Sequence, residues 1–272
     1  MHTKEKTPIG QSIESSLKGR TALITGSCWE GMGRSTALRL AREGASIVLN
    51  YGTYHRSQEA HQEVKTHTDK IDEAIKKLGG QAIVQEADTR DEQQVKAMVE
   101  AACKEFDQID ILVNNAGGDW DVRDYTDISY EHWKAVLSAE INGTFLMMKH
   151  IVPGMRKRRW GRIIHIGLDG VLRLDSMKGV APDYCLGKAA RAWMTMAFGV
   201  QELSKGITVN CIEPGPTAHM TFEEALKTAN DDYSTWCQRG KPTCHDVAEL
   251  IAFLCSEAGR FISGSTIRLP IF

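Results

Sequence analysis

Six short apolar and β-branched runs recur along the chain, each separated from the next by a stretch of helical periodicity, and this alternation restricts the fold more than any other feature. The runs are TALIT (21–25), ASIVLN (45–50), AIVQEA (82–87), IDILVNN (109–115), GRIIHI (161–166) and ITVNCI (207–212). Near-continuous apolar strands need cover on both faces, which is the situation of a parallel sheet between two helical layers. Helical patterns at about 57–78, 92–105, 129–158, 183–204 and 245–256 supply that cover. A further helix follows the first run, with Ala37, Leu40 and Ala41 on one side, and Gly44 closes it as a left-handed cap would. No repeat, proline-rich linker or break in composition divides the chain. The expected fold is one α/β domain with a doubly wound parallel sheet over residues 19–272, preceded by an arm over 1–18 that has no apolar signal core.

Charge and cysteine usage exclude several functions. The net charge of −2 lacks the basic excess of a dedicated nucleic-acid binder. The one basic run, Arg156 to Arg159, reads as the solvated last turn of a helix, where cations complement the dipole. Seven scattered cysteines form no C-x-x-C, and no H-E-x-x-H occurs, so neither a disulfide framework nor a metal site is expected. Reduced thiols point to the cytoplasm. No stretch approaches the roughly 20 apolar residues of a membrane span.

The segment TGSCWEGMGRSTA (25–37) joins the first strand to the first helix. Gly26, Gly31 and Gly33 permit tight turning and close backbone approach. The helix N-terminus offers free N–H groups and a partial positive charge to a pyrophosphate. A glycine-rich loop that follows a buried strand and opens a helix is the context in which phosphate binding outweighs a plain turn.

Three more stretches accompany it: VNNAG (113–117) at the end of the fourth strand, YCLGK (184–188) opening a later helix, and NCIEPGPT (210–217) after the next strand. In this order the four resemble the short-chain dehydrogenase/reductase family, in particular its 3-oxoacyl-carrier-protein-reductase-like branch, over about residues 18–268. The resemblance implies a Rossmann fold and a nicotinamide cofactor. It also implies hydride transfer between that cofactor and a carbonyl, an alcohol or a related C=N or C=C group of a small molecule. A homo-oligomer, tetramer or dimer, built on the helices at 129–158 and 183–204 is implied as well. By the same resemblance the cofactor lies against Gly26, Ser27, Gly31, Met32 and Gly33 of the loop, Tyr51 after the second strand, and Asp88 and Thr89 beside the adenine. Asn115, Ala116, Gly117, Pro214, Gly215 and Thr217 complete its expected contacts, with Tyr184 and Lys188. The loop departs from the family pattern: four residues, Ser27 to Glu30, separate Gly26 from Gly31 where three are common, so Cys28-Trp29-Glu30 is expected to bulge.

An acidic residue at the end of the second strand would hold the adenosine ribose of NAD and repel a 2′-phosphate. Here the strand ends in Asn50-Tyr51, and Arg56 and Ser57 resemble the family's phosphate-holding pair. Glu30 opposes that phosphate. NADP is expected, with NAD the alternative.

Tyr184 and Lys188 lie four apart and share a helix face. A neighbouring ammonium favours tyrosinate and is expected to pull the phenol below its usual value of about 10, suiting it to exchange a proton with a carbonyl or alcohol oxygen. Two other family positions do not match. The serine after the fifth strand aligns with Leu168, and the asparagine of the preceding long helix aligns with Glu140. Leucine donates no hydrogen bond, and losing such a donor costs about 10²–10³ in rate. Asp169 or Ser176 would substitute, or the substrate would need less help, or redox catalysis is lost in favour of a lyase, isomerase or sensing role. Glu140 would either serve the proton relay or form a buried ion pair without a catalytic role. The expected catalytic set is Tyr184, Lys188, Glu140 and Asp169, with no metal. The loop GGDWDVRDY (117–125) reads equally as a pocket wall or a solvated loop, and residues 218–236 lie where the family keeps a substrate lid.

Overall fold

The computed structural model describes residues 17–52, 58–119, 121–172, 181–218 and 241–269, together with residue 224. Strands β1 (Thr21–Ile24), β2 (Ser46–Tyr51), β3 (Ala82–Glu86), β4 (Ile111–Asn114), β5 (Gly161–Ile166), β6 (Ile207–Pro214) and β7 (Thr266–Leu269) form one sheet in the order β3-β2-β1-β4-β5-β6-β7. Every pairing is parallel. Helices α1 (Met32–Arg42), α2 (Gln58–Lys77), α3 (Glu92–Phe106), α4 (Tyr130–Leu137), α5 (Gly143–Arg158), α6 (Pro182–Leu203) and α7 (Cys244–Cys255) cover it. This is the expected Rossmann-type sheet. Its strand order reverses between β1 and β4, which opens a crevice at their carboxyl ends.

The continuous apolar runs serve two cores at once, because successive strand residues face opposite ways. Ala22, Ile24, Ile47, Leu49, Ile111, Val113, Ile164 and Ile212 pack on one face with α1 and α7. Leu23, Val48, Leu112, Ile163 and Val209 pack on the other with α3 and α5. Each such side chain stabilises the fold by about 1.5–3 kcal/mol relative to exposure. Gly44 has φ +90°, as its capping role requires, and its N–H bonds to the Ala41 carbonyl at 2.9 Å. Leu17, within the arm as read from the sequence, is buried in the first core, and its N–H bonds to the Glu43 carbonyl at 3.1 Å.

Two elements differ from the sequence expectation. The run TIRL forms a seventh strand, β7, paired with β6 in the register Cys211 to Thr266 through Pro214 to Leu269. The helix expected over 129–158 is interrupted, since a π-helical turn over Ser138–Asn142 separates α4 from α5. One extra residue per turn there rotates the side chains that follow, a device frequent at functional sites. Glu140 lies on that turn.

At the amino end of the strands, Asp110 is fully buried just before β4. Its Oδ2 accepts from the Thr21 N–H at 3.1 Å and the Gln108 side-chain amide at 3.0 Å. Arg20 and Arg158 approach its other oxygen at 3.6 and 3.7 Å. Trp160 lies between the Arg20 and Arg162 guanidiniums, 3.8 and 4.3 Å from its ring centre.

Candidate active site

The phosphate-loop glycines serve distinct steric needs. Gly26 has φ +63°. A Cβ on Gly33 would stand 2.5 Å from the Gly26 carbonyl oxygen, so loop and α1 close together only without one. Gly31, preceding α1, has φ +141° and open space where a side chain would go. No side chain caps α1 and its first turn holds no acid, so its leading N–H groups remain available to an anion. The Asn115 side-chain amide donates to the Thr25 and Gly26 carbonyls at 2.9 and 3.0 Å, which ties the end of β4 to the loop. Cys28 is fully buried, Trp29 packs on His67 with ring centres 5.2 Å apart, and Glu30 accepts from Arg34 at 2.8 Å. The extra loop residue is thus absorbed inward at Cys28.

Ser27 differs from its expected role. Its hydroxyl is buried, donates to the Ile24 carbonyl at 2.9 Å and accepts from the Asn50 N–H at 3.1 Å. Those bonds commit it to holding the loop on β2 rather than to a ligand.

Beside the loop lies a cleft of about 720 Å³, lined by Gly26, Gly52, Asp88, Thr89 and Ala116 among others. Asn50 braces it, donating to the Gln85 and Ala87 carbonyls at 3.2 and 3.1 Å. Tyr51 donates to Glu86 at 3.0 Å, and burial together with that carboxylate pushes its phenol up to about 12. Burial works to raise the Asp88 carboxyl, but its bonds from the Arg90 backbone and guanidinium outweigh this and hold it below its usual value. Thr89 abuts Gly143 at the start of α5. Met32 opens α1 and packs against the core. The Gly215 N–H bonds to the Leu269 carbonyl at 2.9 Å, and the Cys244 thiol lies 3.8 Å from the Thr217 hydroxyl. Arg56, Ser57, Trp120 and Ser176 lie outside the described residues, as does nearly all of 218–236.

Helix α6 starts with Pro182 in its first turn, a position that tolerates the missing N–H. The Tyr184 N–H bonds to Asp183 Oδ1 at 2.9 Å, and the other oxygen of this fully buried carboxylate is 3.4 Å from His132 Nε2. One turn on, Lys188 is buried, donates to the Ile166 carbonyl at 3.1 Å and stands 3.3 Å from Glu140 Oε2. Its ammonium is 5.1 Å from the centre of the Tyr184 ring. Burial lowers the Lys188 ammonium to about 8 against the opposing pull of Glu140. Burial, and after it the Glu140 carboxylate, push the Tyr184 phenol above its usual value. The downward pull expected from Lys188 is therefore overridden.

Glu140 is fully buried, and its Oε1 accepts from the Gly118 N–H at 2.9 Å. A Cβ on Gly187 would stand 2.5 Å from the Glu140 Cβ, so that glycine lets the π turn approach α6. Arg191 Nε lies 2.8 Å from Glu140 Oε2. Neighbouring His165 is buried and neutral, its Nδ1 accepting from the Asn114 amide at 3.1 Å; burial and then the Arg191 cation push it down to about 3.

Leu168 is partly exposed beyond β5. Asp169 does not supply the missing donor. Its carboxylate accepts from Arg268 on β7 and its N–H bonds to the Pro214 carbonyl at 3.0 Å, so it links strand ends instead. Sequence reading also missed Arg191, although Tyr184, Lys188 and Arg191 fall at i, i+4 and i+7 of one helix face.

A crevice at a strand-order reversal, a glycine cradle before an uncapped helix, and a tyrosine beside a buried lysine define a nicotinamide-dependent oxidoreductase. The family model described as enoyl-(acyl carrier protein) reductase matches residues 28–269. A 3-oxoacyl-[acyl-carrier-protein] reductase from Staphylococcus aureus is 31% identical over 253 residues, covering 92% of this chain and 96% of that protein. A short-chain type dehydrogenase/reductase from Picea abies is 30% identical, with 93% and 92% covered. The crystal structure of a dehydrogenase/reductase from Sinorhizobium meliloti 1021 superposes with a TM-score of 0.74 at 26% identity, covering 94% of this chain and 95% of that one. The chain belongs to the short-chain dehydrogenase/reductase family, in its 3-oxoacyl-carrier-protein-reductase-like branch. It is an NAD(P)-dependent oxidoreductase of small molecules, and the non-redox alternative is not favoured.

Proposed function

We propose that the chain moves hydride between NADP and a carbonyl–alcohol pair with Tyr184 as proton donor and acceptor. The carrying observation is the Tyr184–Lys188 pair on one face of α6, a half-buried phenol beside a buried ammonium braced by Glu140. The open α1 N-terminus and the glycines around it fit a pyrophosphate, and the cleft of about 720 Å³ beside them fits the adenosine half. The nicotinamide, when bound, supplies or receives the hydride. Tyr184, whose phenol is held above its usual value, is protonated at neutral pH, the form that gives a proton to a carbonyl oxygen. In the reverse direction it takes the alcohol proton, and the Lys188 charge stabilises the resulting phenolate. Lys188 would also hold the nicotinamide ribose, as the family resemblance implies. Glu140 bonds to the Gly118 N–H and lies beside Lys188, fixing the ammonium from behind. The preference for NADP rests on the acid-free end of β2 and on Glu30 being committed to Arg34. Side-by-side turnover with NADPH and NADH tests it.

Removing the phenolic oxygen in Tyr184→Phe should lower kcat/KM for a panel of carbonyls about 10²–10⁴-fold while NADPH still binds. Unchanged turnover removes Tyr184 from this role. A homo-oligomer, tetramer or dimer, is supported by the exposed apolar stripe of α6, where Trp193 is 63% and Val200 78% accessible. Light scattering reads it. Among the described residues no helix is long and apolar enough to cross a membrane. The cytoplasm is supported by the six described cysteines, all free thiols.

A further inference from the structure

Arg191 is fully buried, and its guanidinium is aimed entirely into the protein. Nε bonds to the Glu140 carbonyl at 3.1 Å, and Nη1 bonds to the Asn114 and Ile166 carbonyls at 3.0 and 3.2 Å. Nη2 bonds to the Ala116 carbonyl. One side chain therefore grips the end of β4, the end of β5 and the π turn that carries Glu140. It also shares the Ile166 carbonyl with Lys188 as an acceptor, and both cations form ion pairs with Glu140 Oε2.

The charges explain why a second cation is there. A carboxylate beside a lone buried ammonium would cancel it, leaving little positive potential to act on a tyrosine or a ribose. Glu140, Lys188 and Arg191 together carry one net positive charge. Only a planar fork with five donors can satisfy several backbone carbonyls and a carboxylate at once, so lysine would not replace it.

We propose that Glu140 and Arg191 act as one unit, with Arg191 the positioning residue that neutralises Glu140 and fixes it on the π turn, so that the Lys188 charge stays directed at Tyr184. The inference rests on the assignment of Tyr184 and Lys188 above, and it selects anchoring over proton relay for Glu140. Arg191 works through its neighbours and touches neither substrate nor reacting atoms.

The test compares four proteins: wild type, Glu140→Gln, Arg191→Met and the double variant, with kcat/KM for alcohol oxidation measured against pH. Arg191→Met should lose about 100-fold, and the rising limb on which Tyr184 ionises should move up by about one pH unit, because Tyr184 then faces Glu140 without the opposing cation. Glu140→Gln should lose about 10-fold and move the limb down. The double variant should be more active than Arg191→Met alone, because neither buried charge is left without its partner. Losses that multiply in the double variant, or a limb that stays in place in Arg191→Met, overturn the proposal. A structural role alone would lower stability without moving the limb. Should Arg191→Met fail to fold, the double variant is expected to fold, and an unmoved limb in Glu140→Gln overturns the proposal by itself. Should wild type transfer no hydride, the functional assignment fails on that control. NADPH affinity by fluorescence then decides this inference, with single losses and recovery in the double variant expected, and multiplying losses overturning it.

Discussion

Two carboxylates, Asp110 and Glu140, are equally buried near opposite ends of β4, and their partners differ in kind. Asp110 accepts two neutral N–H donors and is approached loosely by cations that remain about one-third exposed, with side-chain accessibilities of 32% for Arg20 and 29% for Arg158. Glu140 is held by two cations as dry as itself, Lys188 at 3% and Arg191 at 1%. Water screens the first cluster and not the second. In parallel sheets ligands gather at the carboxyl ends of the strands. The chain accordingly places a screened, replaceable charge cluster at the amino end and an unscreened one where charge can act on a reaction.

The sharpest way to break this contrast is to delete each carboxylate. Glu140→Ala leaves two buried cations uncompensated and should cost about 3–5 kcal/mol in denaturant unfolding at neutral pH. Asp110→Ala strands the Thr21 N–H and the Gln108 amide, while its arginines turn to solvent. It should cost about 1–3 kcal/mol and leave kcat/KM unchanged. Equal losses of stability, or a loss of activity in Asp110→Ala, would erase the distinction between the two ends.

The scaffold was readable because it follows from local rules. Continuous apolar runs such as TALIT and GRIIHI can only be covered on both faces, and the glycine loop sits where a strand must pass into a helix. The seventh strand escaped because TIRL is short, half-buried and carries Arg268, so its apolar signal is diluted. The site was less legible, since its departures are tertiary. Glu140 is visible in the sequence as a carboxylate at the family's asparagine position, but only the π turn and Gly187 show how it fits there. Arg191 looks like an ordinary solvated helix residue until four carbonyls and a carboxylate are seen around it. Asp169 looked like a neighbour of the reaction because the chain delivers it to the strand end. Its direction is set by Arg268, 99 residues away in sequence. Pairings at that separation leave no periodic trace.

The carboxyl end should also respond to acid through His165. Its folded-state value of about 3 lies below its ordinary 6.5, so between those values the unfolded chain binds a proton that the folded one refuses. Stability should therefore fall as pH drops through this window, by at most about 1.4 kcal/mol for each unit. His165→Asn should flatten that part of the stability–pH curve. An identical acid slope in the variant would mean that the burial of this imidazole does not govern acid sensitivity.

The smallest effect belongs to the amino end. Arg158 stands 3.7 Å from Asp110 with part of its side chain in water, and it also donates to the Ile109 carbonyl at 2.6 Å. An ion pair so screened contributes about 0.2–1 kcal/mol. Arg158→Ala should cost that much, and the loss should shrink further in high salt. Arg191→Met, measured in the same salt series, should keep its full cost because no solvent reaches the pair. If both losses fade alike with salt, the carboxyl-end cluster is wetter than its burial indicates, and the electrostatic contrast between the two ends of β4 collapses.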